Sequence, residues 1–245
     1  MFEDFPLVLA ANRDEHFDRP SAAPTPIASE PKIIAGIDLR AGGTWLGVND
    51  RGVVAGILNR RLNGEIQPGD LRSRGQLCRD LLNCRSSAEA QAYLANHRLR
   101  YNSFTTVVAD GRQALVSYND SDGKIIVLPL EPGLHVFSSA AQFDARSAKA
   151  DRAYSLFARS ARENGPARRD GTDAITSLQP VLADHSSPPG SNDPADAICV
   201  HRESSGTVSS SILRFDKSLS RFECFYCDGP PRHNPFGAPL TLDMA

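Results

Sequence analysis

Short apolar runs separated by tight-turn sequences are the feature that most restricts the fold of this chain. Asp110-Gly111 and Asp122-Gly123 each stand between two runs of strand length, and Asn49-Asp50-Arg51-Gly52 stands between two more. Asp-Gly pairs favour the two-residue turns that join neighbouring antiparallel strands, because glycine accepts the positive φ that those turns need. The chain is therefore predicted to consist largely of β-hairpins.

The apolar runs themselves are predicted to be the strands. They lie at Leu7–Ala11, Lys32–Ala35, Thr44–Val48, Val53–Leu58, Phe104–Ala109, Gln113–Tyr118, Lys124–Leu128, Leu134–Ser138, Ile198–His201, Thr207–Phe215 and Arg221–Cys227. The stretch from Pro20 to Pro31 contains four prolines, which cannot donate to a ladder, so it is predicted to be a surface connection. The Pro- and Gly-rich tail after Gly229 is predicted to be irregular.

Helical periodicity occurs in two blocks. The first block comprises Ser73–Leu82 and Ser87–Leu99, and the second begins near Ala145 and continues over Asp170–Leu182 with a break at Pro180. Strands and helices thus come in groups rather than in alternation. This order is typical of an α+β fold with mainly antiparallel sheets and not of a βαβ winding. No internal repeat or linker divides the chain, so residues 1–245 are predicted to form a single domain.

Composition excludes several classes of protein. The formal net charge of −2 gives no basic field of the kind that binds nucleic acid. No apolar run approaches the roughly 18 residues that a membrane-spanning helix needs. There is no phosphate-binding glycine loop, no dinucleotide-binding turn and no serine-hydrolase elbow. We therefore expect neither a nucleic-acid partner nor a membrane-spanning protein.

The cysteines indicate a reducing compartment. The chain has five cysteines, an odd number, and they are scattered along the sequence: Cys78, Cys84, Cys199, Cys224 and Cys227. Without a secretory signal they are predicted to be reduced core thiols, and the protein is predicted to be cytoplasmic. Cys224 and Cys227 have zinc-knuckle spacing, but positions three apart in a strand face opposite sides, so no metal site is expected.

Three polar or small-residue clusters are candidates for a functional site. They are Asn12–Glu15 after the first strand, Ala41–Gly47 with the only tryptophan, and Ser205–Ser211 with its run of hydroxyl groups. Each cluster also has a plainer interpretation: a polar turn, a tight turn into a core strand, and close packing of small residues. These alternatives remain open at the level of the residues.

Simple strand alternation makes a specific prediction about the hydroxyl cluster. It places Thr207, Ser209 and Ser211 on one face and Ser210 on the other. Arg13 and Asp14 are adjacent in an extended chain and cannot easily pair with each other, so each is expected to find partners elsewhere. If Asp14 is buried and paired, its replacement by alanine is predicted to cost about 3–5 kcal/mol.

Taken in order, these clusters resemble a known family. LVLAANRDE at 7–15, AGGTWLGVN at 41–49 and GILNR at 56–60 are similar to the NRDE family, also called the transport and Golgi organization protein 2 family. ICVH at 198–201 and GTVSSS at 206–211 resemble its C-terminal strands, so the resemblance covers most of the chain.

The resemblance implies a fold like that of N-terminal nucleophile hydrolases. Such a fold is a four-layer α-β-β-α sandwich of two mainly antiparallel sheets. The related amidases attack an amide with a cysteine that has become residue one, and its own α-amino group acts as the base. An Arg and an Asp line that site, and Arg13 and Asp14 are their nearest counterparts here. The implied binding cleft comprises Asn12, Glu15, Gly43, Thr44, Asn59, Thr207 and Ser209.

The sequence departs from the family at its start. Family members generally begin Met-Cys about a dozen residues before the strand that leads into the NRDE motif, whereas here Phe2 holds the second position. Two explanations remain open: a start assigned too late, with the first strand missing, or a non-catalytic member. We favour the first explanation, because one late start removes both the strand and the nucleophile.

Two functions from different classes follow from the resemblance. The protein is either an amide hydrolase or acyl transferase that needs a restored N-terminal cysteine, or a non-enzymatic carrier that holds a small-molecule or lipid-like ligand in the same cleft. The eukaryotic relatives are connected with secretion, Golgi organisation, and haem and lipid handling. Haem is therefore implied as a carried ligand, and no cofactor is required.

Overall fold

Two antiparallel sheets carry the fold of the described residues, which are 5–60, 71–120, 122–139, 147–164 and 172–245 of a computed structural model. The strands are β1 Leu7–His16, β2 Ser21–Ser29, β3 Lys32–Asp38, β4 Leu46–Asn49, β5 Val54–Asn59, β6 Phe104–Ala109, β7 Ala114–Asn119, β8 Ile125–Leu130, β9 Ser205–Asp216, β10 Arg221–Asp228 and β11 Leu240–Asp243. The helices are α1 Arg74–Leu82, α2 Ser87–Ala95, α3 Ala148–Asn164 and α4 Thr172–Leu182.

The chain divides into two compact units, each with one of the sheets. The first unit contains the described residues of 1–19, 133–136 and 146–243, and the second contains those of 20–132, 137–145 and 244–245. In the first unit the strand order is β1-β9-β10-β11, and in the second it runs in chain order from β2 to β8.

The predicted hairpins are confirmed in the second unit. β4 pairs with β5, β6 with β7, and β7 with β8, all antiparallel. In the β4–β5 turn the Asn49 Oδ1 atom accepts hydrogen bonds from the Arg51 and Val53 amides at 3.0 and 2.9 Å. Gly52 in that turn has φ +90° and Gly123 in the β7–β8 turn has φ +79°, which only glycine adopts without strain.

The prediction of a surface connection over the proline-rich stretch is wrong. β2 occupies it and includes Pro24 and Pro26. β2 lies at the edge of its sheet and pairs with β3 alone among the described strands, and its register shifts between Ala22 and Thr25 and between Pro26 and Ala28. An edge position with irregular pairing is where a strand tolerates proline, since the missing N–H breaks no central ladder.

The first strand is longer than the apolar run that predicts it. β1 continues through the polar cluster to His16 and pairs with β9 over its whole length. Polar residues can continue the strand here because β9 presents hydroxyl groups opposite them. Residues Leu7–Ala11, the apolar run that predicts the strand, are half-buried.

Five other predictions about local structure are also wrong. Leu134–Ser138 is not a strand, and its Leu134 is exposed. Ile198–His201 is irregular apart from one bridge between His201 and Gly206. The Val200 amide donates its hydrogen bond to the Thr207 hydroxyl at 2.9 Å instead of to a strand partner. The tail contains β11, which pairs with β10. Finally, α4 continues through Pro180 to its end two residues later, and α2 ends at Ala95 instead of Leu99.

The core of the second unit forms where α1 packs on β4, β5 and β6. Leu77, Leu81 and Leu82 of α1 are fully buried or nearly so in one apolar cluster with Val53 and Phe104. Burial of a leucine or phenylalanine side chain contributes about 1.5–3 kcal/mol, so this cluster is a main source of stability in the unit.

The core of the first unit holds the helix α4 against its sheet. Leu182 at the end of α4 packs with Ile212 of β9 and Phe225 of β10, and Ala10 of β1 joins them. α4 therefore ends next to the polar half of β1, which fixes the surroundings of the candidate site.

No helix in the described ranges is long and apolar enough to cross a membrane.

Candidate functional site

A bulge between β1 and β9 sets the geometry of the polar cluster. Arg13 pairs with Ser209 and Asp14 pairs with Thr207, so the register shifts by one residue at this point. Because of this shift, the side chains of Thr207 and Ser209 lie on opposite faces of the sheet, whereas simple alternation would place them on the same face. The Thr207 hydroxyl reaches Asp14, whereas the buried Ser209 hydroxyl lies near the Tyr226 phenol. The predicted common face of Thr207 and Ser209 is therefore wrong, and the bulge is the reason.

Asn12 connects three parts of the first unit. Its amide nitrogen donates to the Leu182 and Ile198 carbonyls, both at 2.9 Å, and its Oδ1 atom accepts from the Ser210 hydroxyl at 2.6 Å. The amide thus ties the C-terminal end of α4 to the segment before β9 and to β9 itself. These contacts give Asn12 a structural role.

Asp14 has polar partners and remains accessible. Its Oδ1 atom accepts a hydrogen bond from the Thr207 hydroxyl at 2.6 Å, and its Oδ2 atom lies 3.7 Å from Lys149 Nζ. The Lys149 ammonium also donates to the Ala195 carbonyl at 3.1 Å. Because 37% of the Asp14 side chain is exposed, its carboxylate can still meet a ligand.

Arg13 and Glu15 belong to a second set of charges on β1. Arg13 is buried, with its Nη2 atom 4.0 Å from a Glu15 carboxylate oxygen that also lies 3.6 Å from Arg19 Nε. Burial raises the pKa of the Tyr226 phenol, and the charge of Arg13 partly opposes this shift. Arg13 and Asp14 therefore meet different surroundings, as their adjacent positions predict.

The exposure of Asp14 lowers the expected cost of removing it. The sequence predicts about 3–5 kcal/mol for a buried pair, but this carboxylate is more than one third exposed and its lysine partner lies at 3.7 Å. Pairs of this kind contribute about 1 kcal/mol or less.

Replacing Asn12 by alanine is expected to destabilise the protein by about 2 kcal/mol, more than Asp14→Ala does. The replacement leaves the Leu182 and Ile198 carbonyls without their donor, and an unsatisfied buried group costs about 1–3 kcal/mol. Urea unfolding of the two variants measures the difference. Equal stabilities would show that the Asn12 contacts contribute nothing beyond an exposed ion pair.

Three predicted cleft residues lie in the second unit, where two have local structural roles. A Cβ atom on Gly43 would lie 2.4 Å from the Gly75 carbonyl carbon, so glycine lets the α1 segment approach closely. Thr44 donates its amide to the Gly75 carbonyl at 3.0 Å and its hydroxyl to the Leu46 carbonyl at 3.2 Å. Asn59 is exposed at the end of β5.

The first unit also contains a cavity that the sequence does not predict. It has a volume of about 410 Å³. Its described lining residues are His185, Ser187, Pro194, Ala197, Cys199, His201, Arg232 and His233. The Thr207 hydroxyl, which contacts Asp14, also accepts the Val200 amide between Cys199 and His201, so the cavity adjoins the polar end of β1. No sequence signal indicates this cavity, because its residues are dispersed along the chain.

All five thiols are free and buried, as predicted. Burial is the main cause that raises the pKa of every one of them. It raises the pKa of Cys84 and Cys227 to about 11 and that of Cys224 to about 12, and the pKa values of Cys78 and Cys199 are raised as well. Thiolate is the nucleophilic form of cysteine, so these five thiols are poor nucleophiles near neutral pH.

Solved structures identify the fold. The fold is similar to that of conjugated bile acid hydrolase from Clostridium perfringens, with a TM-score of 0.54, 11% identity, and coverage of 97% of this chain and 94% of that chain. It is also similar to a Caenorhabditis elegans N-acylethanolamine-hydrolyzing acid amidase ortholog, with a TM-score of 0.50, 14% identity, and coverage of 84% and 91%. The fold is thus α+β with two antiparallel sheets and is like that of N-terminal nucleophile hydrolases, as predicted.

The sequence then defines the family. Residues 2–225 match the profile of Transport and Golgi organisation 2, and the chain belongs to this family. It is 34% identical over 143 residues to the Mus musculus Transport and Golgi organization 2 homolog, covering 55% of this chain and 50% of that protein. The Homo sapiens homolog is 32% identical over 146 residues, with the same coverage. The chain spans about half the length of the curated relatives it matches.

Proposed function

We propose that this protein binds an acyl-bearing, lipid-like small molecule at the polar end of β1, and that residues 1–245 hold this ligand without hydrolysing it. The observation that carries the second part is the state of the thiols. Each of the five cysteines is buried with a raised pKa, so none of them is an activated nucleophile.

The first part is supported by the fold and by the polar groups on β1. The two solved structures of similar fold are named for hydrolysing N-acylethanolamines and conjugated bile acids, both of which are amphipathic molecules. Asp14 and Lys149 place an exposed acceptor and a donor beside Thr207, which suits the amide and hydroxyl groups of such a ligand.

Hydrolysis requires a nucleophile of a different kind. If a form of the protein carried a processed N-terminal cysteine, its α-amine would take the thiol proton while the sulfur attacked the amide carbonyl. The C–N bond would then break, and the amine would leave with the proton from the α-ammonium. Cleavage of the acyl-enzyme by water then releases the acid. Residues 1–245 supply the surroundings for this chemistry at Arg13 and Asp14, and no thiol among the five carries a free α-amine.

The test uses residues 1–245 and an N-acylethanolamine with a long acyl chain. We expect saturable binding in a fluorescence-displacement assay, and no release of ethanolamine above that from a variant in which all five cysteines are replaced by alanine. The same assay with haem and with a free fatty acid identifies which ligand class binds most tightly.

Two variants locate the binding site. Asp14→Asn and Thr207→Val are expected to weaken the binding of the N-acylethanolamine several-fold, whereas Arg159→Gln, on an exposed part of α3, leaves it unchanged. Hydrolysis that disappears on replacement of one cysteine would overturn the non-hydrolytic part of the proposal. Binding that is insensitive to Asp14 and Thr207 would overturn the assignment of the site.

A further inference from the structure

The cavity beside the polar end of β1 is formed by four segments of the first unit. His185 and Ser187 follow α4, and Pro194 and Ala197 belong to the short 3-10 turn region that precedes residues 199–201. Cys199 and His201 form the next wall, and Arg232 and His233 come from the segment after β10. A cavity of about 410 Å³ is large enough for a small organic molecule.

Three imidazole rings and one guanidinium group face this cavity. The centroid of the His201 ring lies 6.5 Å from that of His185 and 6.4 Å from that of His233. Its Nε2 atom lies 3.7 Å from Cys199 Sγ. Arg232 adds a fixed positive charge, and none of the eight described lining residues is a carboxylate. The lining therefore offers hydrogen-bond donors and positive charge without an internal counter-charge.

Three of the carboxylates around the cavity already have cationic partners, and Asp196 accepts a hydrogen bond from the Ser191 hydroxyl at 2.5 Å. Asp14 lies 3.7 Å from Lys149, as described above. Arg152 Nε lies 2.6 Å from an Asp184 oxygen. Arg202 Nη2 lies 2.8 Å from an Asp193 oxygen. Because these three carboxylates are paired with other cations, Arg232 and the three histidine rings are polar groups that the cavity offers to a ligand.

Most of the groups around His201 oppose its protonation. Partial desolvation lowers the pKa of His201, and the neighbouring His185, His233 and Arg232 lower it further, while Asp14 raises it by a smaller amount. The cavity therefore resists protonation of the His201 ring. A bound anion would remove this resistance, since an opposite charge nearby favours the charged imidazolium.

We propose that this cavity binds the carboxylate or phosphate group of a small molecule, with Arg232 as the permanent cationic contact and the His201, His185 and His233 rings as further hydrogen-bond donors, of which His201 strengthens its contact on protonation. The guanidinium is suited to either oxyanion because its planar fork matches both geometries. The proposal goes beyond the proposed acyl-ligand site, which it adjoins, and depends on different residues.

Anion binding should be coupled to proton uptake. When a ligand raises the pKa of a group, its affinity rises as the pH falls towards that pKa, because the protonated form binds more tightly. The pKa of His201 lies below the usual histidine value of about 6.5 in the free protein and rises when an anion binds, so the affinity should increase as the pH falls from 7.5 to 5.5. We expect the dissociation constant to fall about tenfold across this window.

The experiment compares three probes by isothermal titration calorimetry at pH 7.5 and 5.5. They are octanoate, inorganic phosphate and the neutral octanamide. Octanoate or phosphate should bind with the stated pH dependence, and octanamide should bind at least about tenfold more weakly than octanoate. Tighter binding of octanoate identifies a carboxylate with an apolar tail as the ligand, and comparable or tighter binding of phosphate identifies a phosphate group.

Two variants and a control separate the roles of the cavity residues. Arg232→Gln should weaken anion binding at least about tenfold at both pH values, whereas His201→Gln should reduce the pH dependence and leave most of the affinity at pH 7.5. Arg159→Gln, a matched loss of one exposed guanidinium on α3, should change neither. Thermal unfolding of each variant verifies that it is folded, and histidine ring resonances in NMR spectra report the pKa change directly.

Several results would overturn the proposal. They are the absence of binding by both anions, equal affinity for octanoate and octanamide, and unchanged anion binding by a folded Arg232→Gln variant. Failure of the proposed acyl-ligand site is distinguishable from these results, because it is measured with a neutral N-acylethanolamine and with substitutions at Asp14 and Thr207.

Discussion

Replacing Glu223 by alanine is expected to destabilise the protein by about 3–5 kcal/mol. Arg214 on β9 is only 1% exposed, and its Nε atom donates to a Glu223 oxygen at 2.5 Å across the β9–β10 ladder. The guanidinium carbon lies 4.3 Å from the centroid of the Phe5 ring. Removal of the carboxylate leaves a buried charge without its partner in apolar surroundings, which is among the most costly changes in a protein interior.

Urea unfolding measures this effect, and two further variants test its origin. Asp193→Ala breaks an exposed pair with Arg202 and removes the carboxylate that caps the Ala195 amide, so it should cost about 1 kcal/mol, well below the cost of Glu223→Ala. The double replacement of Arg214 by methionine and Glu223 by leucine removes both charges, so it should recover most of the loss. A cost for Glu223→Ala as small as that for Asp193→Ala would contradict the assignment of a buried ion pair.

Replacing Asn49 by alanine is the second change with a large expected effect, about 3–5 kcal/mol. The residue is fully buried, and its amide nitrogen donates to the Leu82 and Cys84 carbonyls, both at 2.8 Å. Its Oδ1 atom also accepts the two turn amides of the β4–β5 hairpin. Alanine leaves these backbone groups unsatisfied, at about 1–3 kcal/mol for each one that stays buried.

Asn83 provides the control for Asn49. It is exposed, and its amide donates to the Arg79 carbonyl within the same helical segment, so Asn83→Ala should cost less than about 0.5 kcal/mol. Urea unfolding compares the two stabilities, and hydrogen exchange should show faster opening of α1 only in Asn49→Ala. Equal behaviour of the two variants would show that Asn49 does not hold α1 to the hairpin.

The parts of the fold that depend on local chemistry were predictable from the sequence. The Asp110-Gly111 and Asp122-Gly123 turns specify their hairpins within a few residues, and the structure contains both. β2 was not predictable in this way, because its prolines are tolerated only at an edge position that the rest of the sheet creates. β11 likewise exists through its pairing with β10, and its own four residues carry little strand signal.

The candidate site shows the same division between local and long-range information. Local polarity identifies Asn12 and Asp14, but their roles depend on Leu182, Thr207 and Ser210, which are far away in the sequence. The β1–β9 bulge could not be foreseen, because alternation alone gives no reason for a register shift.

The histidine-lined cavity could not be found from the sequence for a different reason. His185, His201 and His233 are separated by irregular spacings that match no motif, and only the folded chain brings them to one cavity.

The pairing of β1 with β9 also affects the order in which the protein can fold during synthesis. Asn12 and Ser210 are 198 residues apart in the chain, whereas the sheet from β2 to β8 joins strands that follow one another. A ribosome therefore releases every strand of the second unit before it makes β9. Non-local pairing of this kind folds slowly, and until it forms, the apolar half of β1 is available to other nascent chains. The yield of folded protein should accordingly depend on chaperones and on the rate of translation through the last fifth of the sequence.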